Sequence, residues 1–595
     1  MRYYIGIDFG HGETTVSRVP GYNGEPVSQI AIKDGPTKDE KKIISAVCKK
    51  NNKWSLVYGA EDFKSSDLRE GFKAMISKMT SKDKVSMCEF AKLVFQAVLD
   101  NDSDLSYNPE DPNDRNFSLG IACPSDWVRV DTKAPQDYLN FFRYTCNLPV
   151  DCCIRESDAA FFTKFSKYQN TDNVFVIDIG SSTIDFTTYA NSKCIEACCW
   201  GANLGAHQIE DALLNQLKSD PCIISNITKL NEFRTSRGTG DATSAISLFF
   251  RTQKERYFSE KQQEYALMVP FRDLTPGWTG APWDVCIGFQ KTKPEFEQII
   301  SGYKQSIRQV LENAKIRLSQ NGISLTHVLL SGGASRMPFI KEYAKDIFGE
   351  NIQIYRDQQP ECVVSNGIAL YAQKIDEALN ILLGKLRGID YEYIFKRAYA
   401  DAKSNAISQL VPAAVDGIKS YGRLNGKRIR EKYFDFLKSL NYNNSTYCHL
   451  IKTTINSKLS TEVASAISTA IKDVFNKNIS TADVAIDTSP AIYQYTDDCF
   501  ISGGAWYTQI SKWIEESSST IFASLFFDWD ETKDASETSR IADGVSYRLK
   551  NYSPYGSNET FLNLDASIED LKKQVADLAI RAFYENQLFE TTFKQ

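Results

Sequence analysis

The sequence predicts an α/β fold over residues 1–372 and a mainly helical region over 373–595. Three observations predict it. Two apolar strand-like runs, "YYIGIDFGHGETTVSRV" (3–19) and "VFVIDIGSSTIDFTTY" (174–189), each end on an aspartate and turn on glycine and small or polar residues. A third run, "HVLLSGGASRMPFIKEYAKDIFGE" (327–350), reads as strand, Gly-Gly turn and helix, with Pro338 in the first turn and Gly349 just past the end. Beyond residue 373 the apolar residues recur instead at helical spacing.

Element by element, residues 3–9 and 14–19 form a predicted hairpin with a glycine-bearing turn. The stretch 33–58 is lysine-rich with strand-like pieces, "KKIISAV" and "WSLVYGA". The i, i+3, i+4 spacing of "SMCEFAKLVFQAVL" predicts a helix over 86–99. "LSYNPEDPNDRN" (105–116), polar and proline-bearing, is expected to be a surface loop, whereas "FSLGIACP" (117–124) is a short buried strand and "SDAAFFTKF" (157–165) a helix. Helices are also expected at 207–218 and 300–318, with a mixed segment between them. This interleaving is that of an α/β domain.

In the tail, Val463, Ala466, Ile467, Ala470, Ile471, Val474 and Phe475 share one helical face. Ile568, Leu571, Val575, Leu578 and Ala582 share another, and Ser567 with Asp570 offers a start resembling a capping box. The stretch 480–565 has no clear period. "FISGGAWYTQISKW" (500–513) repeats a Ser-Gly-Gly with no strand leading into it.

The chain has 595 residues, 42% hydrophobic, enough for more than one core. Its net charge of −6 gives no reason to expect nucleic acid as a partner. The fourteen cysteines include the adjacent pairs Cys152-Cys153 and Cys198-Cys199 but no C-x-x-C, and with four histidines they assemble no structural zinc site; buried, reduced thiols are expected. The N-terminus enters a strand without a basic region and apolar core ahead of it, and runs such as "ALNILLGKL" are too short to span a bilayer. The expectation is a cytoplasmic protein with no transmembrane segment.

An aspartate at the end of a strand, followed by a tight turn of small residues, brings two kinds of group together. Turn N–H groups can point at phosphate oxygens, and a carboxylate can hold a hydrated Mg²⁺. Two such hairpins facing one another would clamp a polyphosphate, and catalysis would be largely positioning and charge stabilisation. No G-x-x-x-x-G-K-[ST] is present.

The order "IGIDFGHGETT", "VFVIDIGSSTIDF", "HVLLSGGASRMP" resembles the phosphate-1, phosphate-2 and adenosine motifs of the actin, sugar-kinase and heat-shock-chaperone ATPase superfamily, most closely the nucleotide-binding domain of DnaK-type chaperones. "GIACPSDW", "CIRESDAAFFTKF" and "PECVVSNGIALYAQ" (360–373) resemble its strand into the first linking region, its Glu-x-x-Ala-Ala stretch and its second linking helix. The resemblance covers about 1–375 and implies a two-lobed actin-like ATPase fold of duplicated ribonuclease-H-like domains. Lobe I would span 1–165, with an insertion at about 33–115, and lobe II 166–372, with an insertion at about 207–320.

The resemblance further implies ATP or ADP with Mg²⁺ as cofactors. Asp8 and Asp178 would hold the hydrated metal. Gly10, Gly180, Ser181, Ser182 and Thr183, together with His11 and Gly12 of the first turn, would line the phosphates. Glu156 and Asp185 would position the attacking water, with Lys73 as the lysine that reaches the terminal phosphate or, alternatively, part of a solvated helix face. Gly205, Lys254 and Arg256 from one side and Gly332, Gly333 and Arg336 from the other would meet the nucleoside. Three departures stand out. His11-Gly12-Glu13 replaces the usual threonines, the second turn is Gly-Ser-Ser-Thr, and Ala206-His207 follow Gly205 where chaperones have Gly and Glu. Glu13 beside a triphosphate would be repulsive unless it points away.

The expected function is a chaperone-like ATP-binding switch, hydrolysing slowly, whose lobe closure repositions the helical region against a protein partner. The alternatives are a nucleotide-sensing pseudo-ATPase scaffold, a small-molecule kinase and an actin-like filament protein. An apolar linker and β-sandwich, as in a peptide-gripping chaperone, are not read after residue 375.

Overall fold

The computed structural model describes residues 2–21, 27–33, 39–40, 42–50, 52–58, 62, 67–165, 173–190, 193–217, 225, 228, 231–232, 243–259, 294–420, 446–475 and 569–578. By contact density the chain divides into two compact units, Met1–Glu377 and Ala378–Leu588.

The first unit is built on two sheets of matching topology. In one, β1 (Tyr3–Phe9) pairs antiparallel with β2 (Glu13–Pro20) on one side. On its other side β1 pairs parallel with Phe117–Cys123, which in turn pairs parallel with Val150–Arg155. Lys42–Lys50 and Lys53–Val57 extend the sheet beyond β2. In the other sheet, β3 (Asn173–Ile179) pairs antiparallel with β4 (Ile184–Ala190) and parallel with β5 (His327–Ser331), and Gln353–Arg356 follows in parallel. Each sheet thus repeats a hairpin followed by two parallel strands. The leading strands β1 and β3 are buried on both faces, which explains why they read as continuous apolar runs and not as alternating ones.

Aromatic residues fill both cores. Phe9 stacks on Phe142 at 4.9 Å on the first sheet, and Phe186 on Trp200 at 4.8 Å on the second. The helix α1 (Ser81–Asn101) begins with a full capping box between Thr80 and Asp83 and buries Phe90, Ala91, Val94 and Val98. Residues 105–116, expected to be a loop, instead form a short hairpin, Tyr107–Asn108 with Asp111–Arg115. Turn-forming residues dominate its composition, so the local signal of the strands is lost.

The helix α2 (Val363–Arg387) crosses the first sheet at very close range. A Cβ on Gly6 of β1 would lie 2.2 Å from Ser365 O, and one on Gly367 would lie 1.8 Å from Ala159 O of the neighbouring helix Glu156–Phe165. Neither backbone oxygen can yield, so glycine is what permits the approach. Ser17 Oγ, 2.8 Å from Ser365 Oγ, and Tyr4 Oη, 2.8 Å from Asp376 Oδ2, fix the register of this contact.

In the second unit, α3 (Tyr391–Ser420) and α4 (Thr446–Phe475) form an antiparallel pair. Arg397 meets Glu462, Asp401 meets Lys458 and Asn405 meets Thr454, so four residues forward along one helix match four backward along the other. Ile455, Leu459, Val463, Ile467, Ala470 and Ile471 are buried, whereas Ala466 and Val474 are only half-buried. Leu571 and Val575 are buried on the helical segment 569–578; Ser567, Ile568, Ala582 and the stretch 480–565 lie outside the described residues.

Gly367→Ala is expected to destabilise the first unit by about 3 kcal/mol, by overpacking against an oxygen that cannot move. Gly384→Ala, at an exposed helical position with nothing within 4 Å of the new Cβ, is expected to stabilise by about 0.5–1 kcal/mol. Thermal unfolding of the two variants beside the parent checks both signs.

Candidate functional site

The matching topology brings both aspartates to the carboxyl ends of their leading strands, where open α/β sheets bind ligands. Asp8 lies opposite Thr15 in the first hairpin. Asp178 lies opposite Asp185 across β3/β4 and opposite Ser331 across β3/β5. Glu156 begins the helix that follows strand Val150–Arg155. Lys73, on the extended segment before Ile76, places its Nζ 2.6 Å from Glu156 Oε1 with both side chains almost fully buried. Lys73 is therefore not on a solvated helix face.

The cluster is strongly perturbed. Burial, reinforced by Glu156 and opposed by Lys73, pushes Asp8 up to about 7. Burial, then Glu156, raises Asp185 to about 7, against the hydrogen bond it accepts from Thr183 Oγ1 at 2.9 Å. Asp178 is driven well above the carboxylate range by burial and then by Glu156, Asp185 and Asp8. Lys73 is held above the usual lysine value by Glu156 and Asp8, against the downward pull of burial. Asp8 Oδ1, Asp178 Oδ1 and Ser331 Oγ are buried without a hydrogen-bond partner among the described residues. Orphaned buried carboxylate oxygens are costly, and a set of them fits a hydrated divalent cation.

The two turns are braced from behind. Gly10 N–H bonds Asp8 O at 3.0 Å, and Gly180 N–H bonds Thr183 O at 3.0 Å. The carbonyls of Ser182, Gly180 and Ser181 accept from Gly205, Ala206 and His207 N–H at 3.1, 3.1 and 2.7 Å. A Cβ on Gly205 would strike the backbone of Ser181 and Ser182 at 2.2–2.3 Å, so Gly205 supports the turn from behind. The N–H groups of His11, Gly12, Ser181, Ser182 and Thr183 donate to no protein acceptor among the described residues. A Cβ on Gly12 would come within 3.0 Å of Ser181, which shows how closely the turns approach. His11, in the first turn, has its ring 6.1 Å from that of His207. Burial, then His207 and Lys73, lowers its pKa to about 4, so it is neutral at pH 7.

Glu13 is neutralised. Its Oε1 is 3.1 Å from Arg251 Nη2 and 3.3 Å from Lys42 Nζ. Against the upward pull of burial, Arg251 and then Lys42 hold its carboxyl below the usual range. Arg251 also donates to Gly12 O and lies 3.0 Å from Glu255. Arg251 thus connects helix Thr243–Ser259 to the first turn.

Gly332 sits at φ +79°, with Asp178 Oδ1 2.7 Å from where a Cβ would be; only glycine suits both the conformation and the space. Gly333 faces Glu13 Oε2, and Arg336 pairs with Glu361 through two bonds, one of 2.8 Å. Lys254 Nζ lies 2.5 Å from the buried Glu210 and donates to Ala206 O at 3.3 Å. It braces the loop before helix His207–Leu217. Arg256 lies on the same helix as Arg251, but its side chain lies outside the described residues.

A family model described as Hsp70 protein matches residues 280–381. The chaperone protein DnaK of Thermus thermophilus is 22% identical over 242 residues, 40% of this chain and 35% of that protein, and the DnaK of a second strain of that species matches equally. The mitochondrial-type heat shock protein 70 of Encephalitozoon cuniculi is 35% identical over 94 residues, 15% of each chain. The chain is related to the DnaK-type branch of the actin-like ATPase superfamily. Its fold is the α/β fold of that superfamily, with a helical region after it. The matched stretch covers about a third of the DnaK relatives' length.

Against the DnaK-type motifs, the structure brings Asp8, Lys73, Glu156, Asp178 and Asp185 into one electrostatic cluster, with both turns and Gly332 beside it. Sequence reasoning missed Arg251, Lys42, Ser331 and Glu361. Arg251 stood in a helix already recognised as basic, but periodicity does not say which of its cations turns inward. Lys42 was one lysine among many, and Ser331 adjoins the Gly-Gly turn without a signal of its own. No described helix is long and apolar enough to cross a membrane.

Between about pH 6.5 and 4 the unfolded chain takes up a proton that folded His11 refuses, so stability falls as pH falls through that window. His11→Gln is expected to remove about 2 kcal/mol of that loss at pH 4 while leaving pH 7.5 stability little changed. Urea unfolding of both proteins at the two pH values measures it, and parallel losses would exclude His11 as the source.

Proposed function

We propose that the first unit is a Mg²⁺-dependent ATP-binding switch with slow hydrolysis. The observation that carries this reading is the buried Asp8–Asp178–Asp185–Glu156 cluster, with orphaned carboxylate oxygens, beside two turns in which the N–H groups of His11, Gly12, Ser181, Ser182 and Thr183 have no protein acceptor among the described residues. Asp8 and Asp178 are the residues to hold a hydrated Mg²⁺, which when bound supplies charge neutralisation for the phosphates and draws down the raised carboxylate pKa values. The N–H groups of His11, Gly12 and Ser181 to Thr183 bind phosphate oxygens. Lys73, oriented by Glu156, adds a positive charge on the side of the terminal phosphate. Asp185, its carboxyl raised to about 7 by burial and Glu156, orients the attacking water together with Glu156 and accepts its proton. Gly333, Arg336 and the ion-paired Glu361 border the nucleoside.

Closure of the lobes over nucleotide repositions the helical unit against a protein partner. The physical requirement is tighter binding to the closed state. Cleft cations Arg251 and Lys42 are already committed to Glu13. That commitment favours, as a second reading, a scaffold that binds nucleotide without turning it over.

Calorimetric titration with ATP and ADP, with and without Mg²⁺, tests binding, and phosphate release from the same sample tests turnover. Asp178→Ala is expected to abolish Mg²⁺-dependent binding. Glu156→Gln and Asp185→Asn are expected to keep binding within about tenfold and to lower phosphate release by roughly 10²-fold or more. Binding with no release by the parent protein selects the scaffold, and a folded parent that binds no nucleotide overturns both readings.

A further inference from the structure

The edge of the second sheet carries a dithiol that the nucleotide cleft does not use. Strand Lys193–Cys194 pairs with β4 through Tyr189 opposite Cys194, and a 3-10 turn, Glu196–Cys198, leads on to Cys199. Ile195 N–H bonds Thr188 O at 2.8 Å and Cys199 N–H bonds Glu196 O at 3.1 Å, closing the loop. The two sulfurs, Cys194 Sγ and Cys199 Sγ, consequently lie 3.3 Å apart, little more than about 1 Å beyond bonding distance. Both residues are partly exposed, whereas Cys198 between them is buried, as are Cys88 and Cys146 elsewhere in the unit.

The Arg155 guanidinium lies beside the pair, itself ion-paired with Asp158 and, at 3.2 Å, with Glu196. Arg317 donates to Ala197 O at 3.1 Å. The hydrogen bond from Cys194 draws Cys199 below the usual thiol value, and the same bond, with burial, raises Cys194. Glu196 completes a Cys-Glu-Cys triplet whose ligand atoms lie within 4.8 Å of one another. However, both Glu196 oxygens already accept from Arg155, at 3.2 and 3.4 Å, and a guanidinium at the site opposes a divalent cation.

We propose that Cys194 and Cys199 form a reversible thiol–disulfide site, oxidised by peroxides and reduced by small thiols. A thiolate on one sulfur attacks a peroxide oxygen; the O–O bond breaks, and protonation gives a sulfenic acid and water. The second thiol attacks that sulfur, the S–S bond forms, and another water leaves. Overall, two thiols and one hydrogen peroxide become one disulfide and two waters. A thiol reductant such as dithiothreitol reverses the bond by exchange. The inference is independent of the nucleotide reading.

The test treats the full chain with hydrogen peroxide, alkylates free thiols and maps the tryptic peptide from Cys194 to Lys218, which holds Cys194, Cys198 and Cys199. The expected peptide is lighter by two hydrogens, alkylated only at Cys198, and restored by dithiothreitol. Cys194→Ser and Cys199→Ser are each expected to lower the bridged species at least tenfold, and Cys198→Ser to leave it unchanged. A bridge through Cys198, or a fully alkylated peptide from folded peroxide-treated protein, overturns the proposal. So does stoichiometric zinc carried through gel filtration by the untreated chain and released when these two thiols are blocked.

Discussion

Carboxylates gathered in one cleft repel one another, and burial strengthens the repulsion because little water is left to screen it. Asp8, Asp178, Asp185 and Glu156 are held in that arrangement by the ends of two sheets, with Lys73 pressed onto Glu156. Burial and the neighbouring carboxylates accordingly raise Asp8 and Asp185 to about 7 and drive Asp178 well above the usual carboxylate value. The rest of the first unit can be understood as the scaffold that enforces this placement. Strands buried on both faces cannot slip, and α2 is locked against the first sheet where glycine lets backbones touch.

Around that cluster the chain departs from its relatives in ways the structure accounts for. Glu13 would repel phosphate if it were free, but Arg251 and Lys42 neutralise it. His11 occupies a turn position where a charged imidazole would be costly, and His207 and burial keep it neutral. Lys254 is spent on Glu210, and the shaping of the loop behind the second turn is what that pair achieves. The consequence is a cleft in which backbone N–H groups, more than free cations, are left to meet an anion.

The second unit obeys a simpler rule. Two long helices run antiparallel, with polar and charged partners in step along the outside and Ile455, Leu459, Val463 and Ile467 inside. An amphipathic period in a sequence says only that a face is to be buried. Here that face is largely an internal core between the two helices.

Much of this was legible in the sequence. Apolar runs ending in Asp8 and Asp178, the glycines after them and the Ser-Gly-Gly turn are local patterns, set by strand burial and turn geometry over a few residues. Their order was enough to resemble the DnaK-type ATPases. The hairpin at 107–115 was illegible because its strands are themselves rich in turn-forming residues, among them Asn108, Asp111, Pro112, Asn113 and Asp114. What only the tertiary structure decided were pairings between residues far apart in the chain: Lys73 with Glu156, Arg251 with Glu13 and Lys254 with Glu210, and also Cys194 with Cys199 around a turn too irregular for a spacing rule. The reason is physical. Periodicity reports which face of an element is buried, whereas the partner of a buried charge or thiol is fixed by how separate elements meet.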